Sequence, residues 1–390
     1  MKILNVTGCE IYNPSIVTSN GCYVVDSIGK NYIDFESGVW ALPLGHNNLK
    51  VNHAMINQLS EISHTAYRYN HPIVEETADA LLEIMNMKDG KCLFLSSGSE
   101  AVEFAVKVIN KISERPYLLN LEHHYLSAYG TCGNTHTSSW ISIDWKQYVN
   151  QNLSNYDEIL RDIPFHQVAA FVFEAGNASG CVELPPKELI HAIVSKVKEN
   201  NGWIVVDEVT VGMGRTGKWF GFEHYNIQPD IIACGKGLGN GYPISAVGVC
   251  KEICELLEKM DFIYGQSHQN DPLGCSVAKE VITIIKEMDL LRKTTRSGEY
   301  LINKLSELKS KHSCIKEVRG IGLLCAIEFT DLVDQRMLSS IHRKLFDAGF
   351  IVGLKLAKNV LRFYPPLIIE NHMSDEMIES LDSILQNISL

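Results

Sequence analysis

Between residues 203 and 241 the chain reads WIVVDEVTVGMGRTGKWFGFEHYNIQPDIIACGKGLGNG. Two short apolar runs in it, Trp203-Ile204-Val205-Val206 and Ile231-Ile232-Ala233, each lead to a chemically distinctive group. The first ends at Asp207-Glu208. The second leads to Lys236, hemmed in by Gly235, Gly237, Gly239 and Gly241. Runs of this length without polar alternation suit strands buried on both faces. The pattern recurs outward from this stretch. Leu93-Phe94-Leu95 and Ala169-Ala170-Phe171-Val172-Phe173 are further apolar runs, and amphipathic helices are predicted over roughly 73–88, 99–113 and 186–199. Apolar runs alternating with such helices predict an α/β unit: a mainly parallel sheet covered on both faces, with ligands outside the carboxyl ends of its strands.

The flanks read differently. Residues 22–26 and 31–35 alternate apolar and polar around Ser27-Ile28-Gly29-Lys30, which predicts a hairpin. A helix is expected to begin at Asp271-Pro272, with Asp as N-cap and Pro at the first helical position. Beyond about residue 290 the order becomes helix, strands (315–329), helix (333–347), strands (349–353, 359–364) and helix (373–388), an α+β pattern. The hairpin precedes the large unit and needs a sheet to pair with. The expected division is therefore residues 1–47 as the N-terminal segment of a small domain, 48–289 as the large domain, and 290–390 as the rest of the small domain.

A chain of 390 residues, 45% hydrophobic and 21% charged, suits a globular enzyme with one large and one smaller domain. Its net charge of −11 argues against nucleic acid or an anionic membrane as its main partner. The eleven cysteines are odd in number and form no C-x-x-C pair, so neither a disulfide framework nor a zinc site is expected. Free thiols point to a reducing cytoplasm. The opening MKILNVTGCEIYNPS turns polar too early for a signal peptide, and no stretch approaches a membrane span.

Three motifs carry chemistry. Ser96-Ser97-Gly98-Ser99-Glu100-Ala101 follows a strand and opens a helix, where unpaired N–H groups and small residues suit a phosphate. Alone it also reads as a plain strand-to-helix turn with a serine cap. Asp207 stands at the carboxyl edge of a buried strand, where it can pair with a ring N–H⁺; alone it also reads as a loop cap. A desolvated Lys236 is a nucleophile toward carbonyls. It is no Walker lysine, because Gly237 follows it, and its glycines alternate as G-x-G-x-G rather than in the dinucleotide pattern. Taken together, a phosphate cradle, a carboxylate and a lysine are what pyridoxal 5'-phosphate requires. The lysine holds it as an imine and the carboxylate keeps its ring nitrogen protonated.

Residues 207–249, DEVTVGMGRTGKWFGFEHYNIQPDIIACGKGLGNGYPISAVGV, resemble the signature of the class III aminotransferases, the family of the ornithine, acetylornithine and 4-aminobutyrate enzymes. The resemblance runs from about residue 20 to 388. It implies an aspartate-aminotransferase-like fold, with a seven-stranded, mainly parallel sheet in the large domain. It also implies a homodimer with shared active sites and ping-pong transfer of an amino group from an amino acid or amine to a keto acid, aldehyde or ketone. By the same resemblance Lys236 is the Schiff-base lysine, Asp207 the partner of the pyridine nitrogen and Val209 the residue packed behind the ring. Gly98 and Ser99 bind the phosphate, Tyr125 stacks on the ring, and Ser267 reaches the neighbouring subunit's phosphate. Arg362 grips a substrate carboxylate, and Trp40 lines the substrate pocket. Racemases and decarboxylating aminotransferases share this fold and form the alternative.

Several positions depart from the family pattern. Leu126-Ser127 replaces the usual His-Gly after the stacking aromatic. Thr210 replaces a glutamine near the cofactor's phenolic oxygen, and His268 and Asp271 replace Phe and Asn. Ser179 stands where many ω-aminotransferases carry a glutamate that masks the arginine. Arg362 is therefore expected to be unmasked.

Overall fold

The computed structural model describes residues 4–6, 11–66, 68–150, 156–176 and 181–388. Its strands, in chain order, are β1 (Ile16–Asn20), β2 (Tyr23–Asp26), β3 (Asn31–Asp34), β4 (Lys91–Leu95), β5 (Tyr117–Leu121), β6 (Trp140–Ile143), β7 (Val168–Glu174), β8 (Trp203–Asp207), β9 (Ile231–Cys234), β10 (Ser245–Val249), β11 (Ile315–Ile321), β12 (Leu324–Phe329), β13 (Phe350–Ile351), β14 (Gly353–Lys355) and β15 (Val360–Phe363).

A seven-stranded sheet runs in the order β4-β10-β9-β8-β7-β5-β6. β10 is antiparallel to both neighbours, and the remaining pairs are parallel. The chain between β9 and β10 spans residues 235–244, shorter than the dozen or more residues a parallel crossover needs, so β10 must turn back. The apolar runs fill both faces by strand alternation. Phe171, Phe173, Ile204 and Val206 join one buried cluster, and Ala170, Val172 and Val205 join the other. Helices Gly98–Ile112, Lys187–Glu199 and Pro272–Glu287 flank this sheet.

The predicted hairpin is β2–β3. Asp26 Oδ1 closes its turn by accepting the N–H groups of Ile28 and Lys30 at 3.0 and 2.9 Å. Its far partner is β13, paired parallel to β3 through Phe350↔Ile33 and Ile351↔Asp34. The last third of the chain adds the antiparallel sheet β11-β12-β15-β14 and helices Leu290–Lys311, Gln335–Ala348 and Asn371–Gln386.

One local expectation is corrected. Pro272 does open its helix, but Asp271 makes no capping hydrogen bond. Its carboxylate is drawn instead to His64 and His268. Among the described residues no helix is long and apolar enough to cross a membrane.

Candidate active site

β4, β8 and β9 run in one direction, so all three motifs emerge at the carboxyl ends of their strands. They touch there. A Cβ on Gly98 would lie 2.5 Å from Val209 Cγ1, and one on Gly235 would lie 3.5 Å from Gly98 Cα. Missing side chains therefore let the acidic strand end, the lysine turn and the helix start approach one another.

At that helix start Ser97 and Glu100 form a capping box. Ser97 Oγ accepts the Glu100 N–H at 3.2 Å, and the Glu100 carboxylate accepts the Ser97 N–H at 3.0 Å. The N–H groups of Gly98 and Ser99 fall in the first turn, where no intrahelical acceptor exists, and the helix dipole favours an anion. Ser99 Oγ accepts the Ala128 N–H at 2.9 Å, tying the loop that carries Tyr125 to this helix end. Tyr125 itself is half exposed.

The two acids of the 207–208 pair have different tasks. Glu208 is fully buried, and its carboxylate accepts the N–H groups of Gly221 and Phe222 at 2.8 Å each. Burial lifts its pKa to about 8 against those hydrogen bonds. Its bonds hold the chain that follows β8. Asp207 accepts the Val209 N–H at 2.9 Å. Burial lifts it to about 7, opposed by that N–H and by Lys236.

Lys236 sits in the left-handed region at φ 41°. Its Nζ donates to Thr210 Oγ1 at 2.7 Å and lies 4.8 Å from the Trp40 ring centre. Burial pushes the ammonium below the ordinary lysine range, with Asp207 and Glu174 opposing and Arg362 adding to the fall. A Lys236 that readily gives up its proton is the consequence.

Trp40 is placed by an uncommon backbone. Ser37, Gly38, Val39 and Trp40 all have positive φ, at 49°, 55°, 68° and 66°. This turn of left-handed sense costs roughly 1–2 kcal/mol per non-glycine residue. Its anchors offset that cost. Asp34 accepts the N–H groups of Glu36 and Gly38 at 2.8 and 2.9 Å, and Ser37 Oγ donates to the Tyr364 carbonyl at 2.5 Å. The Arg362 guanidinium lies 4.9 Å from the same indole, so Lys236 and Arg362 share one aromatic ring.

Arg362 is buried on β15. Contrary to expectation, it is not unmasked: Glu36 Oε1 lies 3.6 Å from Arg362 Nη2. Gly353, opposite Arg362 on β14, makes the room, because a Cβ there would collide with Glu36 Oε1. Ser179 lies outside the described residues. Ser267 is exposed in the loop before helix Pro272–Glu287, and the contacts that assemble the rest do not include it.

Residues 9–385 match the family described as aminotransferase class-III. The chain belongs to the class III aminotransferases. An acetylornithine aminotransferase from Methanocaldococcus jannaschii is 30% identical over 386 residues, covering 96% of this chain and 94% of the relative. An alanine/serine racemase from Pyrococcus horikoshii is 27% identical, covering 94% and 84%. The S-selective transaminase of Bacillus megaterium superposes with a TM-score of 0.88 at 26% identity, covering 99% of this chain and 96% of its own. As a class III aminotransferase this chain is a pyridoxal-phosphate-dependent transaminase of the aspartate-aminotransferase-like fold. It moves an amino group from a small-molecule donor to an oxo acceptor.

Two residues of this aminotransferase pocket escaped the sequence reading. Glu36 sits just before the Ser37-Gly38-Val39-Trp40 segment, and its meeting with Arg362 exists only once β14 and β15 are folded beside it. Glu174 ends β7 directly across from Asp207 on β8, and its charge acts on Lys236. An acid at the end of the longest buried run was a signal that went unused.

Proposed function

We propose that Lys236 is the point of covalent attachment of the cofactor and that Trp40, Arg362 and Glu36 form the substrate side of the pocket. The observation that carries this is the shared indole: a part-buried lysine amine and a buried guanidinium lie 4.8 and 4.9 Å from one ring. The residues fit the cofactor. Asp207 is a buried carboxylate raised by desolvation, which a ring N–H⁺ would relieve. The Gly98 and Ser99 N–H groups and the Ser99 hydroxyl would hold its phosphate. Val209 would lie behind the ring, Tyr125 against its exposed face, and Thr210 beside the lysine amine and the ring's phenolic oxygen. When bound, the protonated ring withdraws electrons from the substrate carbon that carries nitrogen.

The protein's own steps follow. Arg362 takes a substrate carboxylate by two parallel hydrogen bonds. Trp40 borders the chain of that substrate. Lys236 Nζ, whose burial lowers its pKa from the ordinary lysine range, would accept the proton from the substrate carbon as general base and return it as acid. An amino acid or amine is the donor, and a keto acid, aldehyde or ketone the acceptor, in a ping-pong cycle.

We also infer a homodimer in which Ser267 reaches the neighbour's phosphate. The pairing of β3 with β13 supports residues 1–47 and 290–390 as one small domain beside residues 48–289. The unpaired thiols of the described cysteines support a cytoplasmic location. Likeness to the alanine/serine racemase favours a second reading, racemisation. One experiment separates the two. Candidate amines are added singly to the holoenzyme and the cofactor absorbance is followed. Transamination changes it stably with one substrate and needs an acceptor to restore it. A racemase inverts a single amino acid with no net uptake of its nitrogen.

A further inference from the structure

β7 outlasts its pairing with β5. That pairing ends at Leu119↔Phe171, whereas the pairing with β8 continues to Glu174↔Asp207. On the β5 side Glu174 therefore has no strand partner, and a side chain takes over. His124, just past the end of β5, accepts the Glu174 backbone N–H on its ring Nδ1 at 3.1 Å.

That bond fixes the state of the ring. An Nδ1 that accepts leaves the ring proton on Nε2. A charged ring would turn a second donor on the Glu174 N–H, so the contact requires neutral imidazole. Burial, with Lys146 and His123 adding to it, holds the His124 pKa down at about 3, and the ring stays neutral around physiological pH. Nε2 is enclosed, and no described residue accepts from it. An enclosed N–H left unmet is destabilising, yet the ring sits there, and the hydrogen bond it does make goes to Glu174.

Glu174 and the residue after His124 flank the site. The Glu174 charge acts on Lys236 in the same sense as Asp207 and against Arg362. Tyr125 follows His124 directly, and the Ala128 N–H bound to Ser99 Oγ ties the far end of its loop to the helix start. The Tyr125 loop is thus held at two points, by Ser99 on the phosphate side and by His124 at the end of β7.

We propose that His124 is a positioning residue for amino transfer: by accepting the Glu174 N–H it sets Glu174 against Lys236 and Tyr125 against the cofactor ring. This rests on the reading of Lys236 as the attachment point. The imidazole touches neither substrate nor cofactor. It works through the two residues it joins.

Three variants separate this link from the filling of space. His124→Asn keeps an acceptor oxygen on Cγ, where Nδ1 stands; His124→Gln has carbon there, and His124→Ala has nothing. In each holoenzyme the imine absorbance is titrated with pH and cofactor release is timed. Hydrogen exchange of the Glu174 amide is followed in the cofactor-free chain. With Ala and Gln the imine pKa should fall by about half a unit, because the nearby Glu174 charge favours the protonated form. Cofactor should leave about two- to tenfold faster, the scale of one aromatic contact. The amide should exchange about tenfold faster. His124→Asn should stay near wild type in all three. The proposal is overturned if His124→Gln matches His124→Asn, or if imine pKa and cofactor release stay at wild-type values in both Ala and Gln variants. A wild-type holoenzyme with no borohydride-reducible bond at Lys236 would instead sink the attachment reading, and the release and exchange comparisons would still decide what His124 holds.

Discussion

The two ends of the pocket are built in opposite ways. At one end Lys236 follows β9 and Asp207 ends β8, adjacent parallel strands of one buried sheet. At the other, Arg362 comes from a sheet of the last third of the chain and Glu36 from a short turn near its beginning. The first pair is fixed by strand register, and desolvation shifts both members toward their neutral forms. The second pair is looser, at 3.6 Å, and rests on a strained turn and on the absence of a side chain at Gly353. On the proposed reading, the sheet end carries the reaction's chemistry. The assembled end suits a choice among substrates, because its charge balance can be changed without touching the sheet.

The largest effect should come from breaking the sheet end. Lys236→Ala should lower turnover by about 10²–10⁴-fold or more through loss of the general base. Cofactor binding through the helix start should persist, checked by cofactor retention on gel filtration. Asp207→Ala should also cut turnover by orders of magnitude, since removing the partner of a buried charge costs about 3–5 kcal/mol. Single-turnover rates at saturating cofactor measure it.

The same carboxylate makes a pH prediction for the cofactor-free chain. Its folded pKa of about 7 lies above the ordinary aspartate value of 3.8, so the folded state holds more protons between those limits. Stability should then fall as pH rises from about 4 to about 7. Melting temperatures of wild type and Asp207→Asn across that range should converge at low pH and diverge at high pH, with wild type the less stable.

The assembled end should respond more weakly and more selectively. Arg362→Ala and Arg362→Lys should slow half-reactions of carboxylate donors by about tenfold to a thousandfold, lysine included because it loses the fork. A neutral amine should be slowed little. Equal slowing of glutamate, alanine and a neutral amine would place Arg362 in the fold rather than at the substrate. The smallest change is expected from Glu36→Gln. Removing the competing charge beside Arg362 should lower KM for carboxylate substrates by a few-fold to about tenfold, on the scale of a partly exposed ion pair. Neutral amines should gain nothing.

The same contrast explains what the sequence made legible. Asp207 and Lys236 end uninterrupted apolar runs, and a run buried on both faces leaves its last polar residue at the sheet edge. The helix start at Gly98 and Ser99 was legible because small residues follow an apolar run there, and the structure adds a capping box of Ser97 and Glu100. Glu36 was not legible, since nothing local brings residue 36 to residue 362. Asp271 misled for a related reason. Its N-cap position is encoded locally, but His64, some 200 residues earlier in the chain, competes for its carboxylate.

The left-handed turn at Ser37–Trp40 carries a stereochemical consequence. Positive φ is the natural region of D-amino acids, for which the steric penalty on L-residues reverses. Gly38, at φ 55°, sits in that region, and an L-type Cβ there would meet Leu42 Cδ1 at 2.8 Å. A protein assembled by chemical ligation with D-alanine at position 38 should therefore keep the turn unstrained, while the L-alanine version should strain it and push the Leu42 side chain aside, lowering the melting temperature. The pocket would then distinguish the two mirror forms of a single methyl group in its own backbone.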